Sequence, residues 1–250
     1  MFMNDLFVKQ VRLVKDKSMT DQYPFHIDLI EHFDSLTFEK PVSFLIGENG
    51  VGKSTFVEAL AVALGLNAEG GTENFYFHTA ETHSGLHHCL KISKGVYKPQ
   101  TKFFLRAESF YNVVTEIDQI ADEDSRMYNG YGGKSLHACS HGESFMQLMM
   151  NRFSQNGLYI LDEPEAALSP SRQLALLVLI DDLVKAGSQF IISTHSPILL
   201  SYRDGIIYDL NSYFQKVTFK ETDIYQTYKL VLDNPEGMQH HLFDNKGEQR

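Results

Sequence analysis

Basic residues are scarce in this chain of 250 residues, with 22 Lys and Arg against 32 Asp and Glu and a formal charge of −10. Nucleic acid and anionic membrane both call for a basic face, so this balance disfavours either as a direct partner unless a local basic patch forms. Cysteine is scarcer still. Cys89 and Cys139 are the two present, no CxxC pair occurs, and a disulfide framework is excluded, which predicts a reduced, cytoplasmic setting. Long hydrophobic runs are missing: the longest, Leu174 to Ile180, falls far short of the roughly 20 residues that cross a bilayer. The opening Met1 to Leu6 has neither a basic region nor an apolar one, so no secretory leader is read there. With no membrane segment of its own, the chain needs a partner to supply one if it works at a membrane. Sustained heptads, internal repeats and low-complexity tracts are also lacking, which excludes coiled-coil arms and solenoids.

What remains is ordinary globular usage, with 43% hydrophobic and 22% charged residues and enough length for one large domain. Phe7 to Val14 alternates apolar and polar, as a half-buried strand does, and Leu36 to Phe38 reads as a second short strand. Asp16 to Pro24 is a polar loop. Val42 to Ile46 reads as a buried strand ending at Gly47. From Ser54 to Leu64 the apolar residues Phe56, Val57, Leu60, Ala61 and Leu64 share one side of a helix, and Gly65 is a stop. Asn67 to Tyr97 carries little periodic signal. Phe103–Leu105 reads as a strand, Ser109–Ala121 as a helix, Asp122–Gly133 as a loop ending in Gly130-Tyr131-Gly132-Gly133, and His141–Phe153 as a helix. The last third alternates strand Leu158–Leu161, helix Ser171–Lys185, strand Gln189–Ser193 and strand Ile206–Leu210. Such alternation predicts an α/β fold with a mainly parallel sheet flanked by helices.

Gly47-Glu48-Asn49-Gly50-Val51-Gly52-Lys53-Ser54-Thr55 fits G-x4-G-K-[ST], with a buried strand before it and an amphipathic helix after it. Gly47, Gly50 and Gly52 let the backbone curl so that N–H groups, including those near Asn49 and Thr55, point at an anion, and the helix start adds the positive end of its dipole. Lys53 is placed to reach the β- and γ-phosphates and Ser54 to ligate Mg²⁺. The pattern points to a nucleoside triphosphate without choosing ATPase, GTPase or kinase.

Leu158 to Leu161 then runs into Asp162-Glu163, two carboxylates at the C-terminal edge of a strand, where open α/β sheets bind ligands. Asp162 is a candidate Mg²⁺ ligand and Glu163 a candidate general base toward water. A helix cap at a strand end is the plainer reading of such a pair.

These residues resemble the ABC-type ATPase family, and four more segments agree in order and spacing. Ser140-His141-Gly142-Glu143-Ser144 is similar to a degenerate signature motif. Ser169 after Glu165-Ala166-Ala167-Leu168 stands in the D-loop position. Ser193-Thr194-His195-Ser196-Pro197 resembles the switch-histidine region, and Arg106-Ala107-Glu108-Ser109-Phe110 lies in the Q-loop position. The resemblance covers Phe7 to Leu210. It implies an ABC-ATPase head with an N-terminal antiparallel β element and a small helical lobe, the core lobe at about 1–75 and 158–235 and the intervening lobe at about 76–157. It further implies ATP and Mg²⁺ as ligands and a homodimer in the ATP state. There Ser140 and Gly142 touch the partner's γ-phosphate, and His195, Glu163 and Lys53 carry out catalysis. Ser196-Pro197 after the histidine is similar to the soluble RecF, SMC and OLD-like branch, whose cycle drives an effector protein, unknown here. The alternative is the nucleotide-binding subunit of a membrane transporter. A GTPase would need an NKxD tetrapeptide, and Asp244 to Glu248 does not supply one.

The chain departs from that pattern in places. Glu108 stands where the family carries glutamine, either as an oxygen ligand to Mg²⁺ or as an ion-pair partner of Arg106. Ser140 with Glu143 three residues on also reads as a helix capping box. Tyr23 and Phe25 compete for contact with the adenine, and Arg12 is a candidate to touch the nucleotide instead. His83, His87, His88 and Cys89 are metal ligands in type but lack a second spaced pair, and read with His240-His241 as surface histidines.

Overall fold

The structure is a computed structural model and describes residues 6–15, 23–71, 84–123, 137 and 140–243. The loop segment 16–22, the run Gly130–Gly133, His83 and Cys139 lie outside the described residues.

In chain order the elements are β1 (Val8–Leu13), α1 (Asp28–His32), β2 (Ser35–Thr37), β3 (Val42–Ile46), α2 (Lys53–Ala63), α3 (Leu86–Cys89), β4 (Leu90–Lys94), β5 (Thr101–Arg106), α4 (Phe110–Glu123), α5 (His141–Arg152), β6 (Gly157–Asp162), α6 (Pro170–Lys185), β7 (Gln189–Ser193), α7 (Pro197–Leu200), β8 (Ile206–Asp209), β9 (Gln215–Val217), α8 (Asp223–Asp233) and α9 (Pro235–Phe243). Among the described residues, β3, β6 and β7 are buried along their whole length, as their mostly apolar sequences require when both faces of a sheet are covered. They sit inside a six-stranded sheet ordered β5-β6-β7-β3-β8-β9, parallel except for the edge strand β9. A three-stranded antiparallel sheet ordered β2-β1-β4 lies beside it.

Alternate residues of the central strands divide between two cores. Phe44, Phe103, Tyr159, Leu161, Phe190 and Ile192 face one, together with residues of α4, α5 and α6. Leu45, Phe104, Ile160 and Ile191 face the other, together with α2 and the antiparallel sheet. Gln189 links the sheets. Buried at the start of β7, its amide accepts the N–H of Val8 at 3.0 Å and donates to the Val8 carbonyl at 2.9 Å, so a side chain completes the pairing a strand would make. Tyr208 adds a second tie, its hydroxyl donating to the Thr37 carbonyl at 2.7 Å, and burial pushes that phenol up to about 12.

Residues 90–106, inside the stretch assigned to an intervening lobe, supply one strand to each sheet, β4 to the antiparallel one and β5 to the parallel one. The helices α4 and α5 of that stretch pack on the main sheet through Phe110, Val113, Phe145 and Leu148. After β9 the chain forms α8 and α9, which bury none of their residues.

Candidate active site

Sheet order brings the chemistry to one edge. β7 lies between β3 and β6, so the loop after β7 separates the glycine-rich loop after β3 from the carboxylates that end β6. Register finishes the alignment: Asp162 stands opposite Ser193 on one side and opposite Arg106 on the other, and Leu45 pairs with Ser193.

The loop from Gly47 to Gly52 folds as its glycines demand. Gly50 has φ +86° and Gly52 φ +106°, the left-handed region that side chains disfavour, and a Cβ on Gly52 would come within 3.1 Å of Ile27. Gly52 caps α2, so Lys53, Ser54 and Thr55 form its first turn. Lys53 is buried and its ammonium donates to the carbonyls of Gly47 at 2.7 Å and Glu48 at 3.0 Å. Burial lowers its pKa, opposed by the charges of Glu163, Asp162 and Glu165. Asn49 is exposed at the loop tip, and the Asn211 side chain accepts the Glu48 N–H at 3.0 Å from outside.

Ser54, Asp162, Glu163, Glu108, Arg106 and His141 line a cleft of about 240 Å³. Asp162 is 3% exposed, and burial raises its carboxyl above the ordinary range. The Arg106 guanidinium draws it down, Glu163 pushes it up, and the hydroxyls of Ser193 and Ser54 draw it down. Its Oδ1 is buried without a hydrogen bond among the described residues. A hydroxyl and a carboxylate with an oxygen unspoken for are the hard donors Mg²⁺ takes, so these residues fit the metal that the sequence calls for.

Glu163 has φ +50° and ψ +50°, a conformation uncommon outside glycine and asparagine. Its N–H donates to the Ser193 carbonyl at 2.9 Å, which holds the turn. The carboxylate is 3.7 Å from His195 Nε2, and both side chains are partly open, at 40% and 35% exposure. Burial lowers the His195 pKa, Lys53 adds to this and Glu163 opposes it, so the imidazole is neutral at physiological pH. Glu165, which sequence reasoning treated as mere D-loop context, fixes this histidine. Its carboxylate accepts the His195 N–H at 2.5 Å and the Thr194 hydroxyl at 2.7 Å. Burial raises its pKa.

The signature segment opens α5. Ser140 is exposed, donates its hydroxyl to Glu143 at 2.8 Å and forms a capping box with it. Gly142 is buried in its own chain: a Cβ there would lie 2.6 Å from the Arg172 guanidinium and 2.8 Å from the Ala167 carbonyl. Close packing of α5 against the turn after β6 therefore accounts for that glycine.

Of the adenine candidates, Phe25 is core at 8% exposure, whereas Tyr23 is exposed, its hydroxyl 3.1 Å from the Thr55 hydroxyl beside the phosphate loop. Arg12 lies within β1, opposite Ser35 and Lys91. Glu108 sits 3.6 Å from Arg106 and also on the cleft. His87 Nδ1 lies 3.1 Å from the Ser84 carbonyl, Cys89 is buried, and no group of three or more His, Cys, Asp and Glu among the described residues is arranged to hold a metal ion.

A family model described as AAA ATPase domain matches residues 122–200, which include the signature segment, the carboxylate strand and His195. A Haemophilus influenzae protein described as an uncharacterized ABC transporter ATP-binding protein is 26% identical over 187 residues, 68% of this chain and 69% of its own. Among solved structures, cbiO1 from Clostridium perfringens, part of the ABC transporter complex cbiONQ, is similar with TM-score 0.46 and 18% identity over 96% of this chain and 99% of its own. The SMC head domain from Thermotoga maritima is similar with TM-score 0.43 and 15% identity over 82% and 94%.

Proposed function

We propose that the chain is a P-loop ATPase of the ABC type, an ATP hydrolase, and that two copies close head to tail around two ATP molecules, with hydrolysis releasing them. The observation that carries this reading is the convergence of Lys53, Ser54, Asp162, Glu163 and His195 on one sheet edge, with a neutral imidazole 3.7 Å from a carboxylate open to water.

The loop N–H groups and Lys53 bind the triphosphate and stabilise charge that spreads over the γ-phosphoryl oxygens. Lys53 must exchange the Gly47 and Glu48 carbonyls for phosphate oxygens. Ser54 and Asp162 would hold Mg²⁺, which when bound neutralises phosphate charge. Glu108, which lines the same cleft, would join them. Glu163 orients a water in line with the γ-phosphate and takes its proton. His195, held by Glu165, fixes that carboxylate and contacts the γ-phosphate side. Ser140 and the N–H groups at the start of α5 complete the partner's pocket, for which Ser140 must release Glu143. Tyr23, beside Thr55, is the aromatic placed to meet the adenine. Loss of the γ-phosphate then loosens the dimer, and the nucleotide cycle becomes a mechanical one.

The work is done in the cytoplasm on an effector protein. No helix among the described residues is long and apolar enough to cross a membrane. Ser196-Pro197 after the histidine supports the soluble branch. The designation of the Haemophilus relative favours a second reading, a transporter subunit. Lys53→Ala tests the common ground: it should abolish ATP binding in calorimetry, and normal hydrolysis by that variant would overturn the reading. Recovery of an integral membrane permease with Glu163→Gln from the native host would select the transporter; recovery of a soluble effector would select the other.

A further inference from the structure

Arg106 ends β5, and its guanidinium reaches carboxylates on three different segments. Nη1 lies 2.9 Å from Glu58 on α2, while Nε lies 3.3 Å from Asp162 at the end of β6 and 3.6 Å from Glu108 in the turn that follows β5. The Arg106 and Glu58 side chains are mostly covered and Asp162 is buried, so this is not the weak solvent-screened kind of pair. The bond to Glu58 is a directed hydrogen bond, whereas Nε is buried without one, so charge alone holds it over Asp162. Glu108 is 83% exposed, on the open side of the same cleft.

Asp162 therefore faces one cation already. Three carboxylates share one guanidinium there, which leaves room for added positive charge but places it in competition with Arg106. We propose that Arg106 is a positioning residue that competes with Mg²⁺ for Asp162, anchored to α2 by Glu58 and handed to Glu108 when the metal and nucleotide arrive. The proposal rests on the reading of Asp162 as the metal ligand. In this arrangement Arg106 keeps the buried carboxylate paired before loading and sets the Mg²⁺ concentration at which loading occurs.

The two anchors make opposite predictions. Arg106→Gln removes the competitor, so less Mg²⁺ is needed. Glu58→Gln frees the guanidinium to settle on Asp162, so more is needed. The experiment is a MgCl₂ titration of a fluorescent non-hydrolysable ATP analogue, read by anisotropy from an EDTA-treated start. Arg106→Gln should lower the half-saturating Mg²⁺ concentration by roughly three- to tenfold, Glu58→Gln should raise it by a similar factor, and metal-free analogue affinity should stay within about twofold. A merely structural role would move both variants in the same direction. An unchanged or raised Mg²⁺ requirement in Arg106→Gln overturns the competition, as does weakened metal-free binding, which would make Arg106 a phosphate ligand. Failure of the unmutated protein to bind the analogue would overturn the ATPase reading itself, and this inference with it.

Discussion

Glu163 occupies the left-handed region with φ +50° and ψ +50° although it is not glycine. Such a backbone costs about 1–3 kcal/mol and persists where the surroundings impose it. Here they do, through its own N–H on the Ser193 carbonyl and its carbonyl accepting the Ala166 N–H at 3.0 Å. If that strain serves the proposed chemistry rather than stability, the side chain can be removed without unfolding the protein. Glu163→Asn, whose short side chain tolerates that conformation, should melt no lower than the unmutated protein in differential scanning calorimetry yet lose ATP turnover. A large drop in melting temperature would make Glu163 a structural residue. His195 supplies a second test. Its pKa is lowered, chiefly by burial, so the neutral imidazole persists below the ordinary 6.5. The stability tied to that neutral form is present above 6.5 and is lost as pH falls through the depressed value. A pH–rate profile should therefore show turnover holding below pH 6.5 before its acid limb, and His195→Gln should abolish the part of that limb due to imidazole protonation. A limb at or above 6.5 would mean that the imidazole gains a proton more readily than its surroundings allow.

At the scale of elements, Gln189 joins two sheets that share no strand. Replacing it with Leu keeps the volume roughly but strands the N–H and carbonyl of Val8, each at a cost of about 1–3 kcal/mol. Gln189→Leu should lose roughly 2–5 kcal/mol in urea unfolding. A loss under about 1 kcal/mol would mean that the two sheets do not depend on this amide. This link was not legible in the sequence, because a glutamine opening an apolar strand looks like an edge residue, and its partner lies 181 positions away. Glu165 escaped for the same reason, since its two hydrogen bonds reach 29 and 30 positions along the chain. Signals carried by composition alone were legible: β3, β6 and β7 are mostly apolar, and β7 runs over the expected Gln189–Ser193. β4 and β9 were not, because exposed edge strands mix Lys, Ser and Gln with few apolar residues. The helices α8 and α9, beyond the last strand read, were missed, although α8 is amphipathic and packs Ile224 against the core.

For the whole molecule, the motif spacing disclosed which segments meet, and the sheet order supplies the reason. With β7 interposed between β3 and β6, the loop carrying His195 lies between phosphate loop and carboxylates, and Ser54, Arg106, Glu108, Asp162 and Glu163 line one cleft there. The antiparallel sheet beside the core was legible in outline from Phe7–Val14 and Leu36–Phe38, while its third strand came from residues 90–94, in a stretch with little pattern of its own. Gly142 carries a different lesson: the signature glycine is required by packing within one chain, whereas Ser140 beside it is exposed and available to a partner. In the proposed dimer, the start of α5 from a second copy would supply a donor over the far side of the γ-phosphate.

The most direct measurement is the mass of Glu163→Gln in solution, by size-exclusion chromatography with light scattering, with and without ATP and Mg²⁺. The account predicts a monomer without nucleotide and a doubled mass with it, abolished when Ser140→Arg is added. A protein that binds ATP stoichiometrically and keeps the mass of one chain would contradict it.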